Sequence, residues 1–287
     1  MSTLYPNKHL GQVFLKNRIY LSKIIKAAEI KPNDLVLEIG PGTGILTEAL
    51  LQTGAKVVAI EKDPKMVDFL QNRFKNNKNL TVIQADIRDF IQNQGFKNLK
   101  LTVYCHSRPA SKCGVNSSGN LSSYKVIGNI PYYLTSHLIQ LLLESKDKPK
   151  IIVLMIQKEV AQRIIAQPPK MNLLALSVQF YSTPKIICFV PKSAFWPQPK
   201  VDSTIIQLIP KKILLSFPRK REPQFFQLIK AGFSHPRKLL INNLSYNLKI
   251  PQDQLQQVFA KLNISLKTRP QELPLQTWLN LTKYLFA

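Results

Sequence analysis

Short apolar runs alternate with stretches of helical spacing along most of the chain. Leu35-Val36-Leu37-Glu38-Ile39 reads as a buried strand, and Thr43 to Leu51 carries helical spacing directly after it. Lys56-Val57-Val58-Ala59-Ile60 predicts a second strand. Pro64 to Phe74 predicts the next helix, with Pro64 in the first turn, where a missing N–H costs nothing. Leu80-Thr81-Val82-Ile83, Lys125-Val126-Ile127-Gly128 and Ile151 to Ile156 read as further strands, with a helix from Ser136. Apolar strands that alternate with helices predict a parallel sheet covered on both faces. The rhythm breaks twice. Leu101 to Ser123 is rich in Ser, Gly, Asn and single basic residues and reads as an irregular loop. Near Pro210 the pattern turns helical, over Pro223 to Phe233, Arg237 to Leu248, Asp253 to Leu262 and Leu275 to Leu285. The expected organisation is an α/β domain over residues 1–210, with 101–123 as an insertion, and a small all-α domain over 211–287.

Candidate chemistry gathers at the ends of the predicted strands. Glu38-Ile39-Gly40-Pro41-Gly42-Thr43-Gly44 joins the first strand to its helix, and glycines there allow a sharp turn and close backbone approach to a ligand. Glu61 closes the second strand, where a carboxylate can bind both hydroxyls of a ribose. Asp86 follows the third strand and can accept from an adenine amino group. Ligands of open parallel sheets bind beyond the carboxyl ends of the strands, where all three fall. The GxGxG spacing, with Pro41 inside it, differs from the GxGxxG of NAD-binding folds, and no second nucleotide-binding half follows. S-adenosylmethionine fits better, having an adenine, a ribose and an amino-acid end but no pyrophosphate. The alternative is one glycine turn beside two ordinary surface carboxylates.

Asn129-Ile130-Pro131-Tyr132 follows the fourth predicted strand. The pattern suits methylation of an exocyclic amine on a flat base, a poor nucleophile because its lone pair is delocalised into the ring. An Asn side-chain oxygen and a neighbouring backbone carbonyl can accept both N–H groups, turn the lone pair out of the ring and stabilise the charge that develops on nitrogen. Tyr132 can stack on the base. The alternative is a helix N-terminus with a Pro and two core tyrosines.

Charge adds a partner. The 287 residues are 45% hydrophobic and 20% charged, as in ordinary globular proteins, but 40 Lys+Arg against 16 Asp+Glu give a net charge of +24. Such an excess points to a polyanion. No apolar run of membrane-spanning length, leader pattern or long basic amphipathic helix is evident, so nucleic acid is favoured over a membrane. Nine Lys/Arg and one acid lie between Lys211 and Lys249, and Lys8, Lys16, Arg18, Lys23 and Lys26 form a second group. The three cysteines, Cys105, Cys113 and Cys188, are too few for a disulfide framework and fit a reducing cytoplasm. Cys105-His106 with Cys113 gives too few ligands for zinc, and no metal is expected.

Taken in order, these motifs resemble those of the ribosomal RNA adenine N6,N6-dimethyltransferase family, which dimethylates adjacent adenosines near the 3′ end of small-subunit (16S-type) rRNA. His9-Leu10-Gly11-Gln12-Val13-Phe14-Leu15 is similar to the family's GQNFL segment. Phe195-Trp196-Pro197-Gln198-Pro199-Lys200-Val201-Asp202-Ser203 is similar to its FxPxPKVxS segment. Phe233-Ser234, Arg237-Lys238 and Asn242-Asn243-Leu244 resemble the opening of its helical C-terminal domain. The resemblance covers nearly the whole chain. It implies a Rossmann-like methyltransferase sheet and S-adenosylmethionine as methyl donor, without a metal. It places Val13, Leu15, Gly40, Glu61, Asp86 and Asn129 at the cofactor, and Asn129, Pro131 and Tyr132 at the reacting amine. Tyr132 and Phe195 are expected to stack on the flipped base, with Tyr133 and Trp196 as second choices better placed in the core, and Arg237 and Lys238 are expected to bind RNA. A cytoplasmic monomer acting on the immature small ribosomal subunit follows. Val13 stands where the family has Asn, and the Leu101–Ser123 loop is longer than the family requires. Competing expectations are a large-subunit rRNA adenine methyltransferase, a non-catalytic ribosome-assembly or transcription factor on the same fold, and a DNA adenine methyltransferase. The Tyr132-Tyr133 pair and the full FxPxPKVDS segment favour the small-subunit branch.

Overall fold

The computed structural model describes residues 11–93, 124–211 and 217–286. The loop at Leu101–Ser123, with Cys105, His106 and Cys113, lies outside the described residues, as do Lys8, His9, Leu10 and Lys212. Contacts divide the chain into two units, Met1–Ala161 with Lys185–Pro210, and Gln162–Pro184 with Lys211–Ala287. The division is therefore not one cut near residue 210, because Gln162–Pro184 groups with the C-terminal helices.

In chain order the elements are β1 (Phe14–Leu15), α1 (Arg18–Ala27), β2 (Leu35–Ile39), α2 (Ile45–Gln52), β3 (Lys56–Glu61), α3 (Pro64–Arg73), β4 (Leu80–Gln84), α4 (Ile87–Gln92), β5 (Tyr124–Asn129), α5 (Thr135–Glu144), β6 (Ile151–Gln157), α6 (Lys158–Ile164), α7 (Leu173–Tyr181), β7 (Ser182–Val190), β8 (Phe195–Trp196) and β9 (Ser203–Pro210). The main sheet has the order β4-β3-β2-β5-β6-β9-β7. From β4 to β6 every pairing is parallel. The expected parallel sheet is extended by β9, which runs antiparallel to β6 with Met155 opposite Ile205. β7 takes the outer edge, a position that suits Pro184 because an edge strand tolerates a residue without an N–H. β2 and β6 are buried along nearly their whole length, as two-faced coverage requires.

Helix starts are fixed by short side chains. Asn17, Asp63 and Asp86 each accept a backbone N–H from two residues ahead, at the heads of α1, α3 and α4. On one face of the sheet Leu21, Ile24, Leu46, Leu50, Ile127, Val153, Phe195 and Ile205 share one apolar cluster.

The second unit continues with α8 (Glu222–Gly232), α9 (Leu240–Leu248), α10 (Gln252–Lys261) and α11 (Leu275–Leu285). Its core includes Phe225, Phe259 and the fully buried Trp278. Gly232 is where that Trp sits, since a Cβ there would lie 2.4 Å from the indole. Arg237 and Lys238 occupy the turn before α9 and not its first turn. Asn243 holds that turn by donating from Nδ2 to the carbonyls of Gly232 and His235, at 2.7 and 2.9 Å.

Candidate active site

The strand order reverses at β2 and β5. β3 and β4 continue the sheet on one side of this pair and β6 on the other, which opens a crevice at the carboxyl ends of the two strands. Ile39 lies opposite Gly128, so Gly40 and Asn129 emerge side by side. Gly40, Gly42 and Gly44 all have positive φ, at +64°, +55° and +77°, conformations that a side chain strains. At Gly42 a Cβ would stand 2.9 Å from the Phe14 ring. The glycines thus let the loop turn under the N-terminal segment. They frame a cleft of about 1020 Å³, open mouth included, lined also by Val13, Leu15, Glu61, Asp86, Asn129, Pro131 and Tyr133.

Asn129 ends β5 and donates from Nδ2 to the Val13 carbonyl at 2.9 Å. The amide oxygen is thereby left as the acceptor. Val13 has no side-chain amide to offer, yet its backbone carbonyl still accepts from Asn129. Gln12 donates to Asp63 at 3.1 Å and ties the same segment to the turn after β3.

The carboxylates differ in their surroundings. Glu61 is buried and accepts backbone N–H groups from Gly42, Lys62 and Asp63 at 3.2, 2.8 and 3.0 Å. Burial pushes its carboxyl up, the Asp63 charge adds to this, and the three donors oppose it. A carboxylate has about four acceptor sites, so Glu61 keeps capacity for a ligand hydroxyl. Asp86 is occupied by side chains. Arg88 donates to both of its oxygens, at 3.0 and 2.6 Å, and Lys62 to Oδ2 at 3.1 Å. With the Arg88 backbone N–H also on Oδ1, these cations hold Asp86 well below the usual carboxylate range. An adenine amino group would have to take the place of one of them.

Glu38 was expected only as the start of the glycine motif, yet its side chain belongs to the cleft wall. It is fully buried, and neither oxygen has a hydrogen-bond partner among the described residues. Burial pushes its pKa up to about 8, the Thr47 hydroxyl opposing and the Glu61 charge reinforcing the shift.

The aromatic expectations need correction. Tyr132 and Phe195 are absent from the cleft lining, whereas Tyr133 is part of it and 60% exposed. Phe195 is in the core at 2% exposure and Trp196 faces out at 43%, the reverse of the expectation. The cause is register. β8 pairs with β1 so that Phe195 faces the same way as buried Leu15. Tyr132 is half-buried and its hydroxyl shares a 2.8 Å hydrogen bond with Ser203, which links the Asn129–Tyr132 motif to the end of the Phe195–Ser203 motif. Arg237 and Lys238 are exposed in the second unit. Among the described residues there is no cluster of three or more His, Cys, Asp or Glu side chains suited to a metal ion, and no helix long and apolar enough to cross a membrane.

The chain matches the family model described as "Ribosomal RNA adenine dimethylase" over residues 4–286. It belongs to the ribosomal RNA adenine dimethylase family. It is therefore an S-adenosylmethionine-dependent methyltransferase of that family. It is 38% identical to the ribosomal RNA small subunit methyltransferase A of Dehalococcoides mccartyi (strain ATCC BAA-2266 / KCTC 15142 / 195), over 96% of this chain and 87% of that protein. A solved dimethyladenosine transferase from Plasmodium falciparum is 29% identical with a TM-score of 0.71, covering 93% of this chain and 95% of that one. The 23S rRNA methyltransferase ErmE has the same fold, with a TM-score of 0.71 at 22% identity over 96% of this chain and 100% of its own. For an adenine dimethylase the cleft suits the methyl donor. The positive-φ glycines give its backbone room, Glu61 retains acceptor capacity, and Glu38 adds a fully buried acid to the wall.

Proposed function

We propose that this family member transfers methyl groups from S-adenosylmethionine to the N6 amines of two adjacent adenosines near the 3′ end of small-subunit rRNA, giving N6,N6-dimethyladenosine, and so serves ribosome biogenesis. The observation that carries the reading is Asn129, fixed by the Val13 carbonyl beside the glycine loop at the switch point of the sheet. When bound, S-adenosylmethionine supplies a methyl group already activated on a sulfonium. In this reading Val13, Leu15, Gly40, Glu61, Asp86 and Asn129 form its site, with Glu61 toward the ribose hydroxyls. The Asn129 oxygen and a neighbouring backbone carbonyl accept the two N6–H groups and turn the lone pair out of the ring. Pro131 shapes the wall, and Tyr132 supports it from behind through Ser203. The amine's proton becomes acidic as nitrogen gains charge and leaves to water, so no strong base is required. Catalysis is then positioning and electrostatics, without a metal.

In this proposal the unit of Met1–Ala161 with Lys185–Pro210 carries methyl transfer, and the C-terminal helices of the second unit bind RNA through Arg237, Lys238 and their basic neighbours. The protein acts as a cytoplasmic monomer on immature small subunits. The 38%-identical relatives named for the small subunit favour that target, because the likeness to the 23S enzyme is one of fold.

The test is methyl transfer from labelled S-adenosylmethionine to unmethylated small subunits, with large subunits in parallel and Asn129→Ala as control. Dimethyladenosine in small-subunit rRNA with the parent alone is the expected result. Label confined to large subunits, or none despite cofactor binding, overturns the proposal.

A further inference from the structure

The adenine chemistry leaves Trp196 unused. β8 runs antiparallel to β1 with Trp196 opposite Phe14, and the Lys16 N–H donates to the Ala194 carbonyl at 2.8 Å, which extends the pairing by one residue. Alternation sends Leu15 and Phe195 inward and turns Phe14 and Trp196 to the other face. The indole stacks on Phe14 with centroids 6.4 Å apart and planes 27° apart. Phe14 in turn lines the cleft and packs on the glycine loop at Gly42. An aromatic contact therefore runs from the wall of the cleft to an indole that is 43% exposed to solvent. Lys16, Lys192 and Lys200, on or next to the same two-stranded ribbon, are all exposed. A solvent-facing ring on a ribbon flanked by exposed lysines, continuous with the cleft through Phe14, has the makings of a site for unpaired nucleotides, where bases stack and the backbone is neutralised.

We propose that Trp196 is a stacking shelf for an unpaired rRNA base that flanks the target adenine, seated outside the cleft. The inference rests on the rRNA reading above. It gives the exposed Trp of the Phe195–Ser203 motif a role distinct from the chemistry: it positions the strand, and Phe14 connects its ring to the wall of the cleft. RNA is favoured over a protein partner because the ribbon's exposed charge is positive and the shelf adjoins a base-sized cleft.

Two measurements on the full chain test this. The chain has two tryptophans, and the other, Trp278, is fully buried, so quenching by an external base reports Trp196. Hexa-adenylate, at saturation judged by anisotropy of a labelled copy, is expected to quench the parent's fluorescence, and Trp196→Ala to lose that quenching. In turnover, Trp196→Ala is expected to raise KM for unmethylated small subunits about tenfold, as one lost base–aromatic stack does, while leaving kcat and the cofactor Kd within about twofold. Trp196→Phe restores most of the loss. An unchanged KM in folded Trp196→Ala overturns the proposal. So does a raised KM when saturating hexa-adenylate leaves the parent unquenched, an outcome that assigns the indole to a protein surface. If Trp196→Ala shows no cooperative melting, Trp196→Met, which keeps bulk but has no ring, carries the same expectations. Failure of the parent to methylate any ribosomal subunit counts against the proposed function, whereas the quenching experiment still decides the stacking.

Discussion

Glu38→Gln exchanges a buried acid for a neutral side chain of nearly the same shape, so it isolates what ionisation at that position does. In the folded protein Glu38 holds its proton up to about pH 8, against an ordinary value of 4.5. A carboxyl whose folded pKa is raised binds its proton more tightly in the native state. Its contribution to stability is greatest below the unfolded value, falls as pH rises between the two values, and is constant above the folded one. The slope in that window is one proton, about 1.36 kcal/mol per pH unit. Between about pH 5.5 and about pH 7.5 the parent is expected to lose roughly 2–3 kcal/mol at this site, because Glu38 stays largely protonated in the folded chain while it is ionised in the unfolded one. Because the group is fully buried, solvent does not screen the effect. At about 2–4 °C per kcal/mol for a unit of this size, the parent's melting temperature falls by roughly 5–10 °C more than that of Glu38→Gln over the same interval. Melting both proteins across the interval by circular dichroism is the assay, and their difference cancels every titration they share. Parallel curves would refute the reasoning, since Glu38 would then ionise alike in folded and unfolded chains.

Asn129→Ala is expected to leave the fold intact and to lower kcat by about 10²–10³, as loss of one preorganised polar group at the reacting centre does, measured as labelled methyl transfer to small subunits. Gly42→Ala puts a Cβ 2.9 Å from the Phe14 ring at a φ of +55°, and the backbone strain alone predicts a loss of about 1–2 kcal/mol, read from the urea midpoint. The same variant should bind S-adenosylmethionine more weakly by calorimetry, because Phe14 must move. Replacing Arg237 and Lys238 together by Ala should flatten the dependence of log K on log salt for subunit binding by roughly 1–2, one increment per lost phosphate contact. An unchanged slope would place RNA elsewhere on the protein.

The strands that build the site were legible because each is a short apolar run, and β2, β3 and β5 are buried along nearly their whole length. Glu61, Asp86 and Asn129 could be assigned to one cleft for the same reason, since each directly ends or follows such a strand. β9 and β7 escaped the reading. β9 runs next to β6 and β7 lies beyond it at the edge of the sheet, where pairing direction and coverage change, and β7 mixes Thr183, Pro184 and Lys185 among its apolar residues. The helix of Arg237 and Lys238 was read as starting too early. Its turn depends on Asn243 reaching back to two carbonyls, a contact that no local pattern encodes. Glu38 could be seen as a motif residue but not as a fully buried acid with a raised pKa, because its burial arises from what surrounds it in space.

The exchange of Phe195 and Trp196 is the most consequential of these differences. Two-residue strands have no period to read, and a slip of one residue turns every side chain to the opposite face. Motif matching supplies residue identities in order. Only the pairing of β8 with β1 decides which of two adjacent aromatics supports the core and which faces solvent. At a site built from strand ends and short ribbons, the aromatic that is turned to solvent is therefore set by long-range register. A variant at Trp196 tests that register as directly as it tests binding.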